Sequence, residues 1–284
     1  MAFRIVSDSS INMTSLEGVD FRSIPMKILC GMQEFVDDAD LDVEHMVQVL
    51  STSKEKSGTS CPNIMDWKEA FEGADEILAI TISGQLSGSW SSCNQAMEEY
   101  LQENPGAKGY VFDSLSTGPM MRVMAEKAAL MMNQGMSFDE MIQQLQHFRR
   151  HATLIFALAS MNNLARNGRV PMAVAKAVGI LNIRIIAVGD ENGRIKPVDK
   201  CRGDGKLPKI LLREMEARKY AGGHVHIDHC LNPELAERIR ALIQETFPEA
   251  DVTIGECRGL CSYYAEQGGV IIEFDDEPLQ SNAE

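Results

Sequence analysis

The sequence lacks the long apolar runs that mark membrane proteins. No stretch approaches the ~18 consecutive apolar residues of a membrane-spanning helix, so we expect no stable membrane insertion. The N-terminal residues also lack the basic segment followed by an apolar one that is typical of a secretion signal. We therefore expect a cytoplasmic protein.

Clusters of positive charge are also scarce. The chain carries 27 Lys and Arg residues against 41 Asp and Glu residues, which gives a net charge of −14 at pH 7. Because nucleic acids and anionic membranes are bound mainly through clustered positive charge, the composition argues against both as partners. The net charge does not exclude a small anionic ligand, since salt screens charge repulsion beyond ~8 Å.

Common nucleotide-binding and metalloprotease motifs are missing too. The chain contains no P-loop, no G-x-G-x-x-G and no H-E-x-x-H. The seven cysteines are odd in number and mostly scattered, which is typical of free thiols. Cys257 and Cys261 form a C-x3-C pair, but structural zinc normally takes four ligands. We predict no metal and no cofactor.

A histidine-rich segment gives a competing metal signal. His224, His226 and Asp228 alternate along residues 224–229 and would share one face of a strand. Such a set could bind zinc or iron. A polar strand that faces water is commoner, and we favour that interpretation.

In the first half of the chain, short apolar segments alternate with amphipathic ones. This pattern predicts a parallel sheet covered by helices, because strand, loop and helix repeat in that order. We expect strands at residues 3–6, 77–82 and 109–112 and a hairpin at residues 23–35. We expect helices at residues 43–50, 66–71, 120–134 and 138–151, and another that starts after residue 88 and carries Trp90 on its apolar face.

The second half also mixes strands and helices. Its elements predict a second α/β domain with a mixed sheet, so the chain would have two domains, residues 1–152 and 153–284. We expect strands at residues 153–158, 183–188, 224–229, 252–255 and 270–274, helices at residues 171–181, 206–220 and 233–247, and a hairpin turn at residues 190–193.

Hydroxyl-rich segments follow the predicted strands of the first half, at residues 7–10, 57–63, 83–89 and 113–118. Parallel-sheet geometry would gather them at one edge, where α/β proteins bind ligands. Ser87 and Gly88 precede a helix, whose free N–H groups favour an anion. Taken singly, such a segment is as well explained by helix capping and turn formation. Ser87 lacks the G-x-S-x-G spacing of a nucleophile elbow.

Short motifs in a fixed order extend across the whole chain. They are Val6-Ser7-Asp8-Ser9-Ser10, Thr59-Ser60-Cys61-Pro62, Ile82 through Trp90, Phe112-Asp113-Ser114, Leu164 through Arg169, Leu181-Asn182-Ile183 and Cys201-Arg202-Gly203. In order and spacing the chain resembles the DegV family, which includes the fatty-acid-binding subunits of bacterial fatty acid kinase.

The resemblance implies a two-domain α/β protein that holds one long-chain fatty acid between its domains. Thr59 and Ser87 match the residues that hold the carboxyl group, and Ser60, Gly88 and Arg169 stand in the same motifs. Members that serve the kinase present the fatty acid to that separate enzyme and do no chemistry themselves. The resemblance therefore implies a non-catalytic carrier with a fatty acid kinase as its partner.

The chain departs from the family pattern near the expected carboxyl site. Cys61 stands where the family usually has Gln, and Asn167 replaces the first Gly of a Gly-Gly-Arg turn. The family's C-terminal His is missing, with Ala265 or a neighbouring Tyr in its approximate place. Two other functions stay open: binding of a different small ligand, and hydrolysis with Ser87 as nucleophile, which needs a base within hydrogen-bond reach.

Overall fold

The computed structural model describes residues 2–173, residue 175 and residues 183–276. The strands are β1 (Phe3–Asp8), β2 (Asp20–Ile24), β3 (Lys27–Cys30), β4 (Gln33–Val36), β5 (Ser57–Ser60), β6 (Glu76–Thr81), β7 (Lys108–Asp113), β8 (Thr153–Leu158), β9 (Ile183–Gly189), β10 (Ile195–Arg202), β11 (His224–His229), β12 (Asp251–Glu256) and β13 (Val270–Phe274).

The helices cover the sheets on their outer faces and between them. In chain order they are α1 (Val43–Thr52), α2 (Ile64–Phe71), α3 (Ser89–Glu103), α4 (Pro119–Asn133), α5 (Phe138–His151), α6 (Asn162–Arg166), α7 (Leu207–Glu216), α8 (Pro233–Thr246) and α9 (Gly259–Ala265). Within the described residues, no helix has the length and hydropathy to cross a lipid bilayer.

A four-stranded parallel sheet forms the core of the first half, in the order β2-β1-β6-β7. Strand β6 is buried along its whole length, because a helix layer covers each face of the sheet. The apolar run at residues 77–82 is therefore a central strand, as predicted. The capping box at the start of α5 is also present, with the amide of Glu140 donating to Ser137 Oγ.

A separate three-stranded antiparallel sheet, in the order β4-β3-β5, was only partly expected. The predicted hairpin at residues 23–35 is wrong at its start, because Ser23 and Ile24 belong to β2 of the parallel sheet. The hairpin itself is β3 with β4, with Gly31 at its turn in a left-handed conformation, φ 59°. Residues 57–60, predicted as a loop, pair with β3 as strand β5.

The second half is built on a six-stranded mixed sheet, in the order β10-β9-β8-β13-β11-β12. The α/β class with a parallel N-terminal sheet and a mixed C-terminal sheet is thus confirmed. Strand β10 and helix α9 were not predicted. The predicted helix at residues 171–181 and most of the acidic tail lie outside the described residues.

Strand β8 shows how the six-stranded sheet separates two cores. Leu154, Phe156 and Leu158 pack toward the first half of the chain, whereas Ile155 and Ala157 pack into the core under α7 and α8. The alternation follows from the two-residue period of a strand. Strands up to β7 belong to the smaller sheets and strands from β8 onward to the large one. The two-domain division at residues 152 and 153 stays a prediction.

Candidate functional site

A cavity lies between the carboxyl edge of the parallel sheet and the inner face of the six-stranded sheet. Its empty volume is about 970 Å³, a figure that includes the solvent at its mouth. Most of its wall is aliphatic or aromatic. The apolar lining includes Met26, Ile82, Leu86, Leu115, Leu154, Phe156, Leu158, Leu164, Leu260 and Ile271.

Both halves of the chain contribute polar groups to the lining. Thr59, Ser87, Arg169 and Tyr264 are among them, with the backbone of Gly88, and the other polar lining residues are Ser116, Thr117 and Arg194. Thr59 Oγ1 lies 2.8 Å from the hydroxyl oxygen of Tyr264, although 205 positions separate the two residues in sequence. The cavity thus combines an apolar interior with hydroxyl and guanidinium donors.

The loop that carries Ser87 is fixed by Asp8 at the end of β1. Its carboxylate accepts hydrogen bonds from Ser89 Oγ at 2.6 Å and from the amide of Ile82 at 3.0 Å. Burial raises the pKa of Asp8 above its ordinary value, and these hydrogen bonds act in the opposite direction. Asp8 therefore braces the hydroxyl loop.

Asp113 supports the same loop from the neighbouring strand β7. Its carboxylate accepts from the amides of Gly84, at 3.2 Å, and Leu115, at 2.9 Å. The amide of Ser83 donates to the carbonyl of Ser116 at 2.8 Å. Loops 83–89 and 113–118 are therefore joined at the sheet edge, as parallel topology predicts.

Thr59 reaches the cavity from strand β5 and not from a loop. Ser57 and Thr59 lie two positions apart on one face of β5, where their hydroxyls meet those of Tyr263, at 2.9 Å, and Tyr264. Ser60 is exposed and lies outside the lining, with its hydroxyl 3.4 Å from the Cys61 carbonyl.

Helix α9, which carries Tyr264, is held at its first residues by the N-terminal half of the chain. Asp37 accepts from the amides of Gly259, at 2.8 Å, and Leu260, at 2.9 Å. A Cβ on Gly259 would lie 2.7 Å from Oδ1 of Asp37, so a larger residue here would displace the carboxylate that holds the helix. Helix α1, which follows Asp37 in sequence, is capped by Asp42 and not by Asp37.

Arg169 joins the loop of Ser87 to helix α9. Its Nε donates to the carbonyl of Leu86 at 2.9 Å, and another guanidinium nitrogen donates to the carbonyl of Asn167. The guanidinium also lies over the ring of Tyr264, 5.7 Å from the ring centroid. Arg169 therefore brings positive charge to the polar lining.

The ionisable groups of the lining favour anion binding over base catalysis. None of the described lining residues is His, Asp or Glu. Burial raises the pKa of Tyr264, although the bond to Thr59 and the charge of Arg169 act against this rise. The Ser87 hydroxyl accepts from the amide of Ser89 at 3.2 Å. The lining can thus donate hydrogen bonds to a carboxylate, and its described residues include no carboxylate or imidazole base for Ser87.

The histidine-rich segment is strand β11, and the prediction that it faces water is wrong. The strand lies between β13 and β12, and His224, His226 and Asp228 are all buried. Both ring nitrogens of His226 have protein partners, Asp228 Oδ1 at 3.0 Å and Thr253 Oγ1 at 2.6 Å. The three predicted ligands therefore do not act as one set.

A different trio, His224, Glu273 and Asp275, has possible ligand atoms within 4.8 Å of one another. The ammonium group of Lys127 lies 3.9 Å from Asp275 Oδ2 and supplies positive charge. Burial raises the pKa of Glu273 to about 8, so a proton neutralises this carboxyl group at pH 7. We interpret the trio as a buried polar cluster beside an ion pair.

Comparison with known proteins identifies the chain's relatives. A family model described as "Uncharacterised protein, DegV family" matches residues 2–275. The chain belongs to the DegV family. A DegV domain-containing protein of Streptococcus pyogenes is 35% identical over 279 residues, which cover 97% of this chain and 100% of that protein. The family resemblance of the sequence motifs is confirmed.

Two solved DegV-type structures are similar throughout and hold fatty acids. A DegV family protein of Eubacterium eligens, loaded with heptadecanoic acid, is 38% identical with a TM-score of 0.94 and covers 97% of this chain and 100% of its own. The fatty acid kinase (Fak) B3 protein of Streptococcus pneumoniae, loaded with linoleic acid, is 35% identical with a TM-score of 0.95 and covers 98% and 100%.

Proposed function

We propose that this DegV protein binds one long-chain fatty acid, with the tail in the apolar cavity and the carboxyl group at Thr59 and Ser87. The observation that carries the proposal is a mainly apolar cavity with hydroxyl donors grouped on its wall. The fatty acids held by relatives at TM-scores of 0.94 and 0.95 support it. Gly88 and Arg169 line the same region and belong to the proposed site.

The energetics fit a tail that sets affinity and a head group that sets orientation. Burial of a long acyl chain gains on the order of 10 kcal/mol before association and ordering costs. One hydrogen bond to a charged group adds about 1.5–3 kcal/mol.

Ser60 stays a prediction of the sequence motif, and Ser60→Ala tests its role in binding separately from that of Thr59.

We further propose that the chain is a non-catalytic subunit that presents the carboxyl group to a separate fatty acid kinase. The similarity to the fatty acid kinase B3 protein supports this role. Gly88 is exposed and Ser87 is partly exposed, so the proposed carboxyl site adjoins solvent.

ATP consumption by a streptococcal fatty acid kinase should require both this chain and the acid. Turnover of the acid by this chain alone, or labelling of Ser87 by a fluorophosphonate, would indicate an enzyme instead.

Native mass spectrometry of the protein purified from cells tests the binding proposal. The purified protein should carry one adduct with the mass of a long-chain fatty acid. Thr59→Val combined with Ser87→Ala should weaken palmitate binding at least tenfold, because two donors to the carboxylate are lost. The matched control is Thr246→Val with Ser51→Ala, which removes two exposed hydroxyls. Full affinity in the first double variant would refute the head-group assignment.

A further inference from the structure

The hydroxyl of Tyr264 lines the cavity and comes from the second half of the chain, whereas the hydroxyls of Thr59 and Ser87 come from the first half. It extends from helix α9 to within 2.8 Å of Thr59 Oγ1 on strand β5. Its neighbour Tyr263 points elsewhere, with its hydroxyl 2.9 Å from both Ser57 Oγ and Asn167 Nδ2. Two adjacent tyrosines therefore make equivalent bonds to β5, but only Tyr264 lines the cavity.

Counting hydrogens shows that the Thr59 and Tyr264 pair keeps a donor for a ligand. Each hydroxyl has one hydrogen to donate, and the bond between the two oxygens uses one of them. The other hydrogen is left for an acceptor in the cavity. A carboxylate offers two oxygens and can accept from this pair as well as from Ser87.

The surroundings of Tyr264 keep its hydroxyl a donor. Burial raises the pKa of this phenol, so it remains protonated at neutral pH. Arg169 lies over its ring, and the two side chains form one polar surface beside Thr59. An ester group would accept such bonds more weakly than a carboxylate does, because it carries no charge.

Resting on the proposed function, we propose that Tyr264 is a head-group residue. When the carboxylate binds, it replaces the bond between the two hydroxyls, so that Tyr264 and Thr59 each donate their one hydrogen to it, and Tyr264 thereby selects free fatty acids over their esters. The assignment rests on the bond to Thr59 across the cavity and on the position of Tyr264 in the lining.

The test compares palmitate with methyl palmitate in wild type, Tyr264→Phe and Tyr263→Phe. Tyr264→Phe should weaken palmitate binding about tenfold and ester binding less than twofold, because a charged acceptor loses more than a neutral one. Tyr263→Phe, the matched control, should leave both affinities within twofold. Equal losses for acid and ester, or no loss for either, would overturn the proposal.

Two further measurements separate direct contact from an effect through Thr59. In a Thr59→Val background, Tyr264→Phe should still weaken palmitate binding at least threefold, and no additional loss would overturn direct contact. The carboxyl 13C resonance of bound [1-13C]palmitate should shift in Tyr264→Phe and stay in place in Tyr263→Phe. If wild type bound neither ligand, the proposed function itself would fail.

Discussion

At the scale of single residues, Asp37 connects the N-terminal half to the helix that presents Tyr264. Its carboxylate accepts from two amides at the start of α9 and from Ser9 Oγ at 2.8 Å. The side chain is 1% exposed, so none of these bonds can be replaced readily by water. One buried carboxylate thus positions an element that lies more than two hundred residues away in sequence.

Asp37→Asn should lower the free energy of unfolding by about 2 kcal/mol, because the amide group places a donor where two backbone donors point. Palmitate affinity should fall as well, since the start of α9 loses its anchor. Asp40→Asn, at an exposed position of the same segment, is the control and should change neither quantity. Urea unfolding and a palmitate titration measure both effects. Wild-type stability in Asp37→Asn would contradict the role given to this carboxylate.

Glu273 predicts a pH effect on stability. Burial raises the pKa of Glu273 to about 8, with His226, Lys127, Asp275 and Glu126 as the charged and titratable groups that act on it. Between the ordinary pKa of a glutamate and pH 8, the native state therefore binds more protons at Glu273 than the unfolded state does. The stability that Glu273 contributes is present at low pH and is lost as pH rises through this window.

The free energy of unfolding of Glu273→Gln minus that of wild type should therefore increase between pH 6.5 and pH 8, by about 2 kcal/mol. Burial lowers the pKa of His224, so the stability that His224 contributes is lost as pH falls below the ordinary histidine pKa. The measured pH range therefore starts at that value and extends upward. Glu256→Gln, at an exposed position, should give a difference that is constant with pH. A constant difference for Glu273→Gln would show that its carboxyl ionises normally.

At the scale of elements, strand β8 separates ligand binding from stability on its two faces. Phe156 lines the cavity, while Ile155 is fully buried in the core under α7 and α8. Phe156→Ala should weaken palmitate binding about tenfold, because the tail loses contacts with the ring. Ile155→Ala should lower the free energy of unfolding by about 2–5 kcal/mol and leave affinity within twofold. Equal loss of affinity in both variants would place the tail elsewhere.

The elements predicted from the sequence are those whose local pattern agrees with their environment. Strand β6 is apolar along its length because it is central, and α5 carries its own capping box. Strand β5, Ser57–Ser60, contains no large apolar residue and forms through pairing with β3. Helix α9 is seven residues long and starts at a glycine, so neither propensity nor periodicity marks it.

Strand β10 was not predicted, and strand β11 was predicted to face water, because tertiary contacts determine both strands. Strand β10 contains Pro197 and charged residues, which suit an edge strand and hide its pairing with β9. Strand β11 has a polar sequence, yet it is buried because its side chains find partners such as Asn12, whose Nδ2 donates to Asp228 Oδ2 at 2.7 Å. Trp90, predicted on the apolar face of the helix after residue 88, is 38% exposed at the start of α3.

At the scale of the whole molecule, the cavity exists because two sheets from different halves of the chain face each other. The family resemblance implied Thr59 and Ser87 as a pair, but nothing local to either residue indicates Tyr264 or the apolar face of β8. The polar lining is completed by contacts between residues far apart in sequence. Such contacts follow from topology and not from local pattern, which is why the sequence did not place the Tyr264 hydroxyl in the cavity lining.

The most direct test of the account is a crystal structure of the protein grown with palmitic acid, with the cavity contents left out until the final difference map. The account predicts one continuous tube of density along Leu154, Phe156 and Leu158. The tube should end in a planar group whose oxygens lie about 3 Å from Thr59 Oγ1 and Ser87 Oγ. Separate water peaks in the cavity, or a tube whose planar end lies away from both hydroxyls, would contradict it.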